Sequence, residues 1–293
     1  MKIIIFGLGS IGLRYLKILN KNYKFDIYAF RSGRGNGLIN FPPAIRGGCC
    51  QVLGIDCKFI YDWHEVDKIK PDVALVCNPT HLHIETAIKC LEHGIKYLLI
   101  EKPLSCNLDK LDVLLNLADK NKATVYIAYP FRHHAELQKF KEPYYNQWLY
   151  FVCHTDYRNW PSKRKNDGAL LELSHELDLA QYFLGNVKNI SNSLPTIFDA
   201  FSDLDSECWL RVEHCNRNLS FHNLNILAPK EQRFLKFRGG EKVAYSQNDS
   251  MYERQLNYFF ANLDNPYLQN NVFEAADLFR KIVDFKSREG TNS

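Results

Sequence analysis

Apolar and polar positions follow two different patterns along this chain. Up to about residue 125, short runs of apolar and often β-branched residues alternate with turns rich in Gly, Asn or Pro and with segments whose apolar residues recur at helical spacing. This alternation of strands and helices is typical of the α/β class. It predicts a right-handed, doubly wound parallel sheet of the Rossmann type.

The pattern changes from about residue 146. Strand-like runs separated by turn residues follow one another there, and helical spacing returns over 170–184, 251–263 and 272–286. Such an order predicts an α+β domain, with a mostly antiparallel sheet that carries helices on one face. We therefore predict two domains, the first at 1–125 and the second at 126–293.

The N-terminal stretch KIIIFGLGSIGLRYLKIL is the strongest local signal. It reads as a strand, a glycine turn with the GxGxxG pattern, and a helix, which is the context that a dinucleotide site needs. The first glycine allows the tight turn, the second lets a pyrophosphate approach, and the third lets helix and strand pack closely. The alternative is a glycine-rich turn without a ligand. The predicted cofactor contacts in this turn are Gly7, Gly9, Ser10, Ile11 and Gly12.

The end of the second strand, in FDIYAFRSGR, bears on the choice of cofactor. An NAD site usually ends this strand with an acid that binds the ribose hydroxyls. Here Arg31, Ser32 and Arg34 follow the strand, and Asp26 lies at its start. Guanidinium and hydroxyl groups suit a 2′-phosphate, which favours NADP(H) over NAD(H). The alternative is that these arginines are solvated loop charges.

Two further strands end in the motifs NPTHLH and EKP. The proline after Lys102 steers that lysine away from helical angles and holds it at the carboxyl edge of the sheet, where ligands bind. His81 and His83 stand two apart at a helix start, so they do not share a face, and we predict no metal site. The predicted cofactor contacts here are Asn78, Pro79, Thr80, His83, Glu101 and Lys102.

The segment GALLELSHELD surrounds one histidine, His175, with three acids. A histidine titrates near neutrality and can act as a general acid or base, although by itself such a residue is more often structural. Glu172 reaches the site of His175 only if the preceding segment is extended rather than helical. Glu176 and Asp178 are expected either to face the helix surface or to orient their neighbours.

Basic residues mark candidate contacts to the substrate. Arg158 and Lys165 belong to a basic loop before Gly168 that could bind a phosphate or carboxylate, or could simply be solvated. Arg132, with Tyr129 close by in sequence, ends the strand that leads into the second domain and is a candidate for lining the cleft. The predicted substrate contacts are Lys102, Arg132, Arg158, Lys165 and His175.

Composition narrows the class of protein. The chain has 37 basic and 33 acidic side chains, and a net charge of +4 does not suggest a nucleic-acid or membrane-surface partner. Nine cysteines without a CxxC motif indicate reduced thiols rather than a disulfide framework. The N-terminal apolar run is too short for a signal-peptide core, so we expect a soluble cytoplasmic protein.

These motifs, in this order, resemble the Gfo/Idh/MocA family of glucose–fructose oxidoreductases and inositol dehydrogenases. The resemblance implies a dinucleotide-binding Rossmann domain, here 1–125, joined to a second domain with an open sheet, here 126–293, for substrate binding and oligomerisation. It implies the use of NAD(P) to oxidise or reduce sugars and inositols. It also implies a homodimer or homotetramer assembled through the open sheet. It further implies that Lys102 lies close to the nicotinamide and the reacting hydroxyl, and that His175 matches the family's histidine.

One departure concerns the acid that the family places four residues before this histidine. Leu171 stands there, and Glu172 is only three residues before His175. Members that carry LSHELD are similar to sugar oxidoreductases of bacterial surface-glycan pathways. We predict an NADP(H)-dependent oxidoreductase of a sugar or nucleotide-linked sugar, with Lys102, His175 and Glu172 as catalytic residues. The alternatives are a non-catalytic NADP(H)-binding sensor or partner protein, and a reductase of a non-sugar substrate.

Overall fold

The computed structural model describes most of the chain as two compact units. The described residues are 1–31, 56–140, 148–156, 174–192, 207–237, 240, 242–265 and 270–290. The first unit comprises Met1–Ala128 and Leu256–Phe273, and the second comprises Tyr129–Gln255 and Glu274–Ser293. The units differ from the predicted domains in that residues 126–128 and 256–273 belong with the first.

The first unit is built on a six-stranded parallel sheet with strand order β3-β2-β1-β4-β5-β6. Its strands are β1 (Lys2–Phe6), β2 (Asp26–Phe30), β3 (Lys58–Ile60), β4 (Val73–Val76), β5 (Tyr97–Glu101) and β6 (Thr124–Ala128). Its helices are α1 (Ser10–Asn22), α2 (Trp63–Ile69), α3 (His83–Glu92) and α4 (Leu111–Lys120). The order reverses between β1 and β4, which is where such sheets bind nucleotides. The predicted doubly wound parallel sheet is confirmed.

Residues 256–273 join the first unit through its edge strand β6. The side-chain oxygen of Asn271 accepts a hydrogen bond from the backbone N–H of Ile127 at 2.6 Å, and its amide nitrogen donates to the Ile127 carbonyl at 3.1 Å. The Tyr97 hydroxyl donates to Asp264 at 2.6 Å. The asparagine thus satisfies backbone groups that an edge strand would otherwise expose.

The second unit contains a six-stranded mixed sheet with strand order β12-β11-β7-β10-β9-β8. Its strands are β7 (Trp148–Asp156), β8 (Val187–Asn192), β9 (Glu207–His214), β10 (Leu219–Asn225), β11 (Leu227–Phe237) and β12 (Lys242–Ala244). Within the described residues, β7 and β10 pair in parallel and the other neighbours pair antiparallel. The predicted mostly antiparallel sheet is confirmed.

Among the described residues of the second half, three helices lie close to where helical spacing predicts them. They are α6 (Ser174–Leu184), α7 (Asp249–Ala261) and α8 (Val272–Gly290), and a short helix that was not predicted, α5 (Ala135–Gln138), precedes them. Residues 170–173 of the first predicted segment lie outside the described residues. None of the helices in the described part of the chain is long and apolar enough to cross a membrane.

Strand residues of the second unit alternate between two faces of its sheet. In β10, Ser220, His222 and Leu224 are buried on one face, whereas Leu219 and Phe221 are half-buried on the other. Pairing between strands brings large aromatic residues together on the second face. This aromatic sheet face consists of Trp148, Tyr150, Trp209, Phe221 and Phe234.

Candidate active site

The glycine turn between β1 and α1 has two glycines that the backbone requires and one that leaves space. Gly7 has φ of +90°, and a Cβ on it would lie 2.5 Å from the Asn78 Cα. A Cβ on Gly12 would lie 2.0 Å from the Gly7 carbonyl oxygen, whereas a Cβ on Gly9 would meet nothing within 4 Å. Gly7 thus allows the tight turn and Gly12 lets helix and strand pack closely, while the open space at Gly9 would let a pyrophosphate approach the backbone.

Helix α1 begins at Ser10 directly behind this open space. Its N-cap residue Gly9 offers no side chain to the first-turn N–H groups, and the first turn contains no acid. Gly9 and Ser10 are exposed and Ile11 is half-buried. Such a helix start presents free N–H donors and a partial positive charge to an anion. The turn therefore fits the diphosphate of a dinucleotide.

Arg31 follows β2 at the carboxyl edge of the sheet. Its backbone N–H donates to the Ile60 carbonyl at 2.8 Å. Its guanidinium carbon lies 5.0 Å from the ring centroid of Phe59 and 6.0 Å from that of Tyr61, within range of cation–π attraction. Ser32 and Arg34 lie outside the described residues. A 2′-phosphate contact of Arg31 stays a prediction.

The turn after β4 is tied to the turn after β5 through His83. This imidazole is 1 % exposed, with Nε2 2.8 Å from the Asn78 carbonyl oxygen and Nδ1 2.9 Å from the Pro103 carbonyl oxygen. The Asn78 side chain donates to the Thr86 hydroxyl at 2.7 Å. The ring of His83 thus contacts backbone. Cofactor contacts of Asn78, Pro79, Thr80 and His83 stay predictions.

Strand β5 ends in a buried carboxyl group followed by the candidate lysine. Glu101 accepts a hydrogen bond from the Tyr15 hydroxyl at 2.7 Å. Burial raises the pKa of Glu101 to about 7, and the hydrogen bond from Tyr15 and the charge of Lys102 oppose that rise. Lys102 is half-buried, and its peptide bond to Pro103 is cis.

In the second unit, His175 is the second residue of α6. It is 3 % exposed and is bordered by two aromatic rings. Its ring lies 4.9 Å from that of Phe131 at an interplanar angle of 80°, and 6.2 Å from that of Tyr129 at 77°. Both aromatic residues come from the turn after β6. Tyr129, which its position in the sequence suggested as a residue lining the cleft, therefore lies beside His175, the candidate acid/base.

Glu176 and Asp178 do not face the helix surface, and that part of the expectation is wrong. They are 0 % and 1 % exposed, respectively. Asp178 accepts two hydrogen bonds from the Arg132 guanidinium, one from Nε to Oδ2 at 2.8 Å and one from Nη2 to Oδ1 at 2.6 Å. Burial raises the pKa of Asp178 to about 6, against the effect of the guanidinium. A substrate contact of Arg132 stays a prediction, since its guanidinium already binds Asp178.

Glu176 forms a second buried ion pair that sequence reasoning missed. Its Oε1 lies 3.1 Å from Nε of Arg233 in β11. The same guanidinium lies 4.8 Å from the centroid of the Phe131 ring that borders His175. Arg233 shares strand parity with the buried Leu235 and Phe237. The sequence signal for this ion pair was a charged residue at a strand position whose neighbours on the same face are apolar.

Three predicted site residues of the second half lie outside the described residues. They are the predicted catalytic residue Glu172 and the predicted substrate contacts Arg158 and Lys165, and Leu171 lies outside as well. The described residues bring Phe131, Tyr129 and Arg233 together around His175, and Tyr15, Glu101 and His83 around the EKP segment.

The glycine turn and the doubly wound parallel sheet define a Rossmann fold. Residues 1–129 match the model of the Gfo/Idh/MocA oxidoreductase family with an NAD-binding Rossmann fold. The chain is 27 % identical to a myo-inositol 2-dehydrogenase of Thermotoga maritima over 194 residues, which are 63 % of this chain and 55 % of that protein. The chain thus spans about half the length of this relative.

Solved structures share the fold over nearly the whole chain. A myo-inositol 2-dehydrogenase from Lactobacillus plantarum has a TM-score of 0.77 at 14 % identity, with 100 % of this chain and 98 % of that chain covered. The WlbA (WbpB) dehydrogenase from Thermus thermophilus, in complex with NAD and UDP-GlcNAcA, has a TM-score of 0.71 at 18 % identity, with 96 % and 93 % covered.

Proposed function

We propose that this protein is an NADP(H)-dependent oxidoreductase that transfers a hydride to or from a carbinol or ketone carbon of a sugar or nucleotide-linked sugar. The observation that carries the proposal is the open space at Gly9 in front of an uncapped helix start. The match to an oxidoreductase family model and the similarity to proteins named as myo-inositol 2-dehydrogenases support the reaction class. The fold shared with a dehydrogenase crystallised with NAD and UDP-GlcNAcA supports a sugar nucleotide as substrate.

The proposal divides the chemistry between cofactor and protein. The bound dinucleotide supplies or accepts the hydride. Oxidation of a carbinol also requires that its oxygen lose a proton, which His175 takes as general base and returns in the reverse direction. The Lys102 ammonium orients the oxygen and stabilises the negative charge that develops on it. Glu172 is the third catalytic residue in the proposal.

Cofactor preference follows from the end of β2 in this proposal. The Arg31 guanidinium is held against Phe59 and Tyr61 at the edge where the adenosine ribose would lie. Ser32 and Arg34 follow it in sequence and would add a hydroxyl and a second guanidinium. These groups recognise a 2′-phosphate better than two ribose hydroxyls, so NADP(H) is preferred to NAD(H).

Turnover tests the catalytic part. We expect the wild-type protein to reduce NADP⁺ with at least one sugar or nucleotide-linked sugar, and Lys102→Ala and His175→Ala each to lower kcat by a factor of about 10² or more. Lys96→Ala, a lysine of the same unit just before β5, is the matched control and should keep activity. Wild-type activity that survives both site substitutions would contradict the assigned roles.

A non-catalytic NADP(H)-binding protein is the second candidate. Leu171 stands where the family has its aspartate, and the His175 ring is buried against Phe131. Tight NADPH binding without turnover on any carbinol or ketone would favour this alternative.

The protein acts as a homo-oligomer in this proposal. The aromatic sheet face of the second unit carries five large rings that are only half-buried in the single chain. Trp148 and Phe221 lie 6.3 Å apart, and Tyr150 and Phe234 lie 6.4 Å apart. A second copy of the sheet is the partner that would remove such a face from water in a dimer or tetramer.

A further inference from the structure

We propose that Tyr15 and His83 are positioning residues that hold Lys102 in place from its two sides. The inference rests on the proposed function, in which Lys102 orients the reacting oxygen, and adds two residues that act through the lysine's neighbours. Neither Tyr15 nor His83 needs to touch the substrate. Tyr15 comes from α1 and His83 from α3, so the lysine's neighbours are tied to two helices of the first unit.

Tyr15 fixes the residue before the lysine. Its side chain is 0 % exposed, and its hydroxyl donates to Oε1 of Glu101 at 2.7 Å. Glu101 is itself 7 % exposed and is the last residue of β5. Tyr15 belongs to α1, the helix whose start faces the proposed diphosphate site. This hydrogen bond therefore couples the cofactor helix to the residue that precedes Lys102.

His83 fixes the residue after the lysine. Its Nδ1 lies 2.9 Å from the carbonyl oxygen of Pro103, which directly follows Lys102. Its Nε2 lies 2.8 Å from the carbonyl oxygen of Asn78, in the turn after β4. The ring thus joins the ends of two neighbouring strands. Buried polar contacts of this kind are costly to break because water cannot replace the lost partner.

The groups that face His83 determine how its contacts should be tested. Both ring nitrogens face carbonyl oxygens, which only accept hydrogen bonds, so the ring can hold them only by donating an N–H. Burial lowers the pKa of His83, and the hydrogen bonds to the two carbonyl oxygens oppose this shift. A glutamine amide also carries N–H donors and can replace this function, whereas leucine replaces only the bulk of the ring.

Anchoring matters because the lysine side chain is long and flexible. Misplacing a catalytic group by about 1 Å can cost on the order of 10²-fold in rate. Fixing the backbone on both sides of Lys102 reduces the number of positions that its ammonium can occupy. An ordinary packing role for Tyr15 and His83 would instead affect stability without a particular effect on Lys102.

The kinetic test separates these two roles. We expect His83→Leu and Tyr15→Phe each to lower kcat by about tenfold to a hundredfold with the KM for NADP⁺ little changed, and His83→Gln to recover part of the loss. Matched controls remove comparable hydrogen bonds elsewhere in the unit. They are His93→Leu, which breaks the 2.6 Å contact to Asp67, and Tyr97→Phe, which breaks the 2.6 Å contact to Asp264.

A second measurement reports on Lys102 without turnover. Reductive ¹³C-methylation labels the lysines, and Lys102→Arg identifies the Lys102 signal in the NMR spectrum. We expect this signal to shift and broaden in His83→Leu and Tyr15→Phe and to stay unchanged in both controls. If His83→Leu does not fold, Tyr15→Phe and His83→Gln carry the test.

The outcomes distinguish this inference from the proposed function. An unchanged Lys102 signal in folded Tyr15→Phe and His83 variants overturns the positioning role. Losses of kcat in the two controls equal to those in the test variants overturn it as well. A Lys102 signal that moves as expected in a protein without turnover on any carbinol or ketone supports the positioning role and contradicts the enzymatic proposal.

Discussion

Glu101 is a carboxyl group that the fold keeps away from water at the end of β5. Its folded-state pKa of about 7 lies above the ordinary value of 4.5, so the folded chain holds this proton to a higher pH than the unfolded chain. The free energy of unfolding contributed by Glu101 is therefore greatest below pH 4.5 and falls as the pH rises toward 7. Burial of this carboxyl group thus makes the first unit sensitive to pH, and the hydrogen bond from Tyr15 reduces the effect.

Replacing this carboxyl group by a neutral amide should remove the sensitivity. We expect Glu101→Gln, which keeps an oxygen for the Tyr15 hydroxyl, to gain stability relative to wild type between pH 5 and 8, by up to about 3 kcal/mol. Urea unfolding at several pH values measures the difference. The exposed Glu92→Gln at the end of α3 is the control. Parallel pH curves for wild type and Glu101→Gln would contradict the raised pKa.

At the scale of elements, α6 carries two buried ion pairs in addition to its buried apolar side chains. Asp178 binds Arg132 through two hydrogen bonds, and Glu176 binds Arg233 of β11. Removing one partner of a buried pair leaves the other charge without compensation and costs more than the pair itself contributes. These pairs fix the start of the helix and, with it, His175.

The Arg132–Asp178 pair permits a direct test of this anchoring. We expect Arg132→Ala to lower the free energy of unfolding by about 3–5 kcal/mol, because Asp178 stays buried without its partner. Arg132→Met combined with Asp178→Leu should recover much of the loss. Lys139→Ala breaks an exposed ion pair with Glu136 and should leave the free energy of unfolding nearly unchanged. An Arg132→Ala variant as stable as the Lys139→Ala control would show that the pair does not anchor α6.

Local patterns predicted the elements better than they predicted the contacts around the site. The strand, glycine turn and helix at Gly7–Gly12 could be predicted because two of their constraints are local, namely the positive φ of Gly7 and the contact of Gly12 with the Gly7 carbonyl oxygen. The contact of Glu176 with Arg233 depends on the register of β11 against β7, which no local pattern encodes. The bridge from His83 to Pro103 likewise requires two strands to end side by side.

At the scale of the whole molecule, the aromatic sheet face predicts self-association. We expect light scattering to give a mass that is twice or four times the 34.2 kDa of one chain. Phe221→Glu should shift the protein toward the monomer, because it places a charge among rings that the partner would cover. Val113→Glu changes an exposed apolar residue of the first unit and should leave the mass unaltered. A wild-type monomer would contradict the assembly.

Binding of the cofactor is the measurement that tests the account most directly. Paired titrations with NADPH and NADH, followed by nicotinamide fluorescence, should show tighter binding of NADPH and a loss of that preference in Arg31→Ala. Lys58→Ala is the matched control. It removes a basic residue from the start of β3, which lies at the opposite edge of the parallel sheet from Arg31.

Gly9→Ala adds a decisive comparison to the same titration. A Cβ there meets no atom within 4 Å, so the fold should tolerate it while the pyrophosphate loses its close approach. We expect folded Gly9→Ala to bind both nucleotides more weakly than wild type. If wild type binds neither nucleotide, the glycine turn is only structural, and the proposed oxidoreductase activity and the roles of Lys102 and His175 are contradicted together.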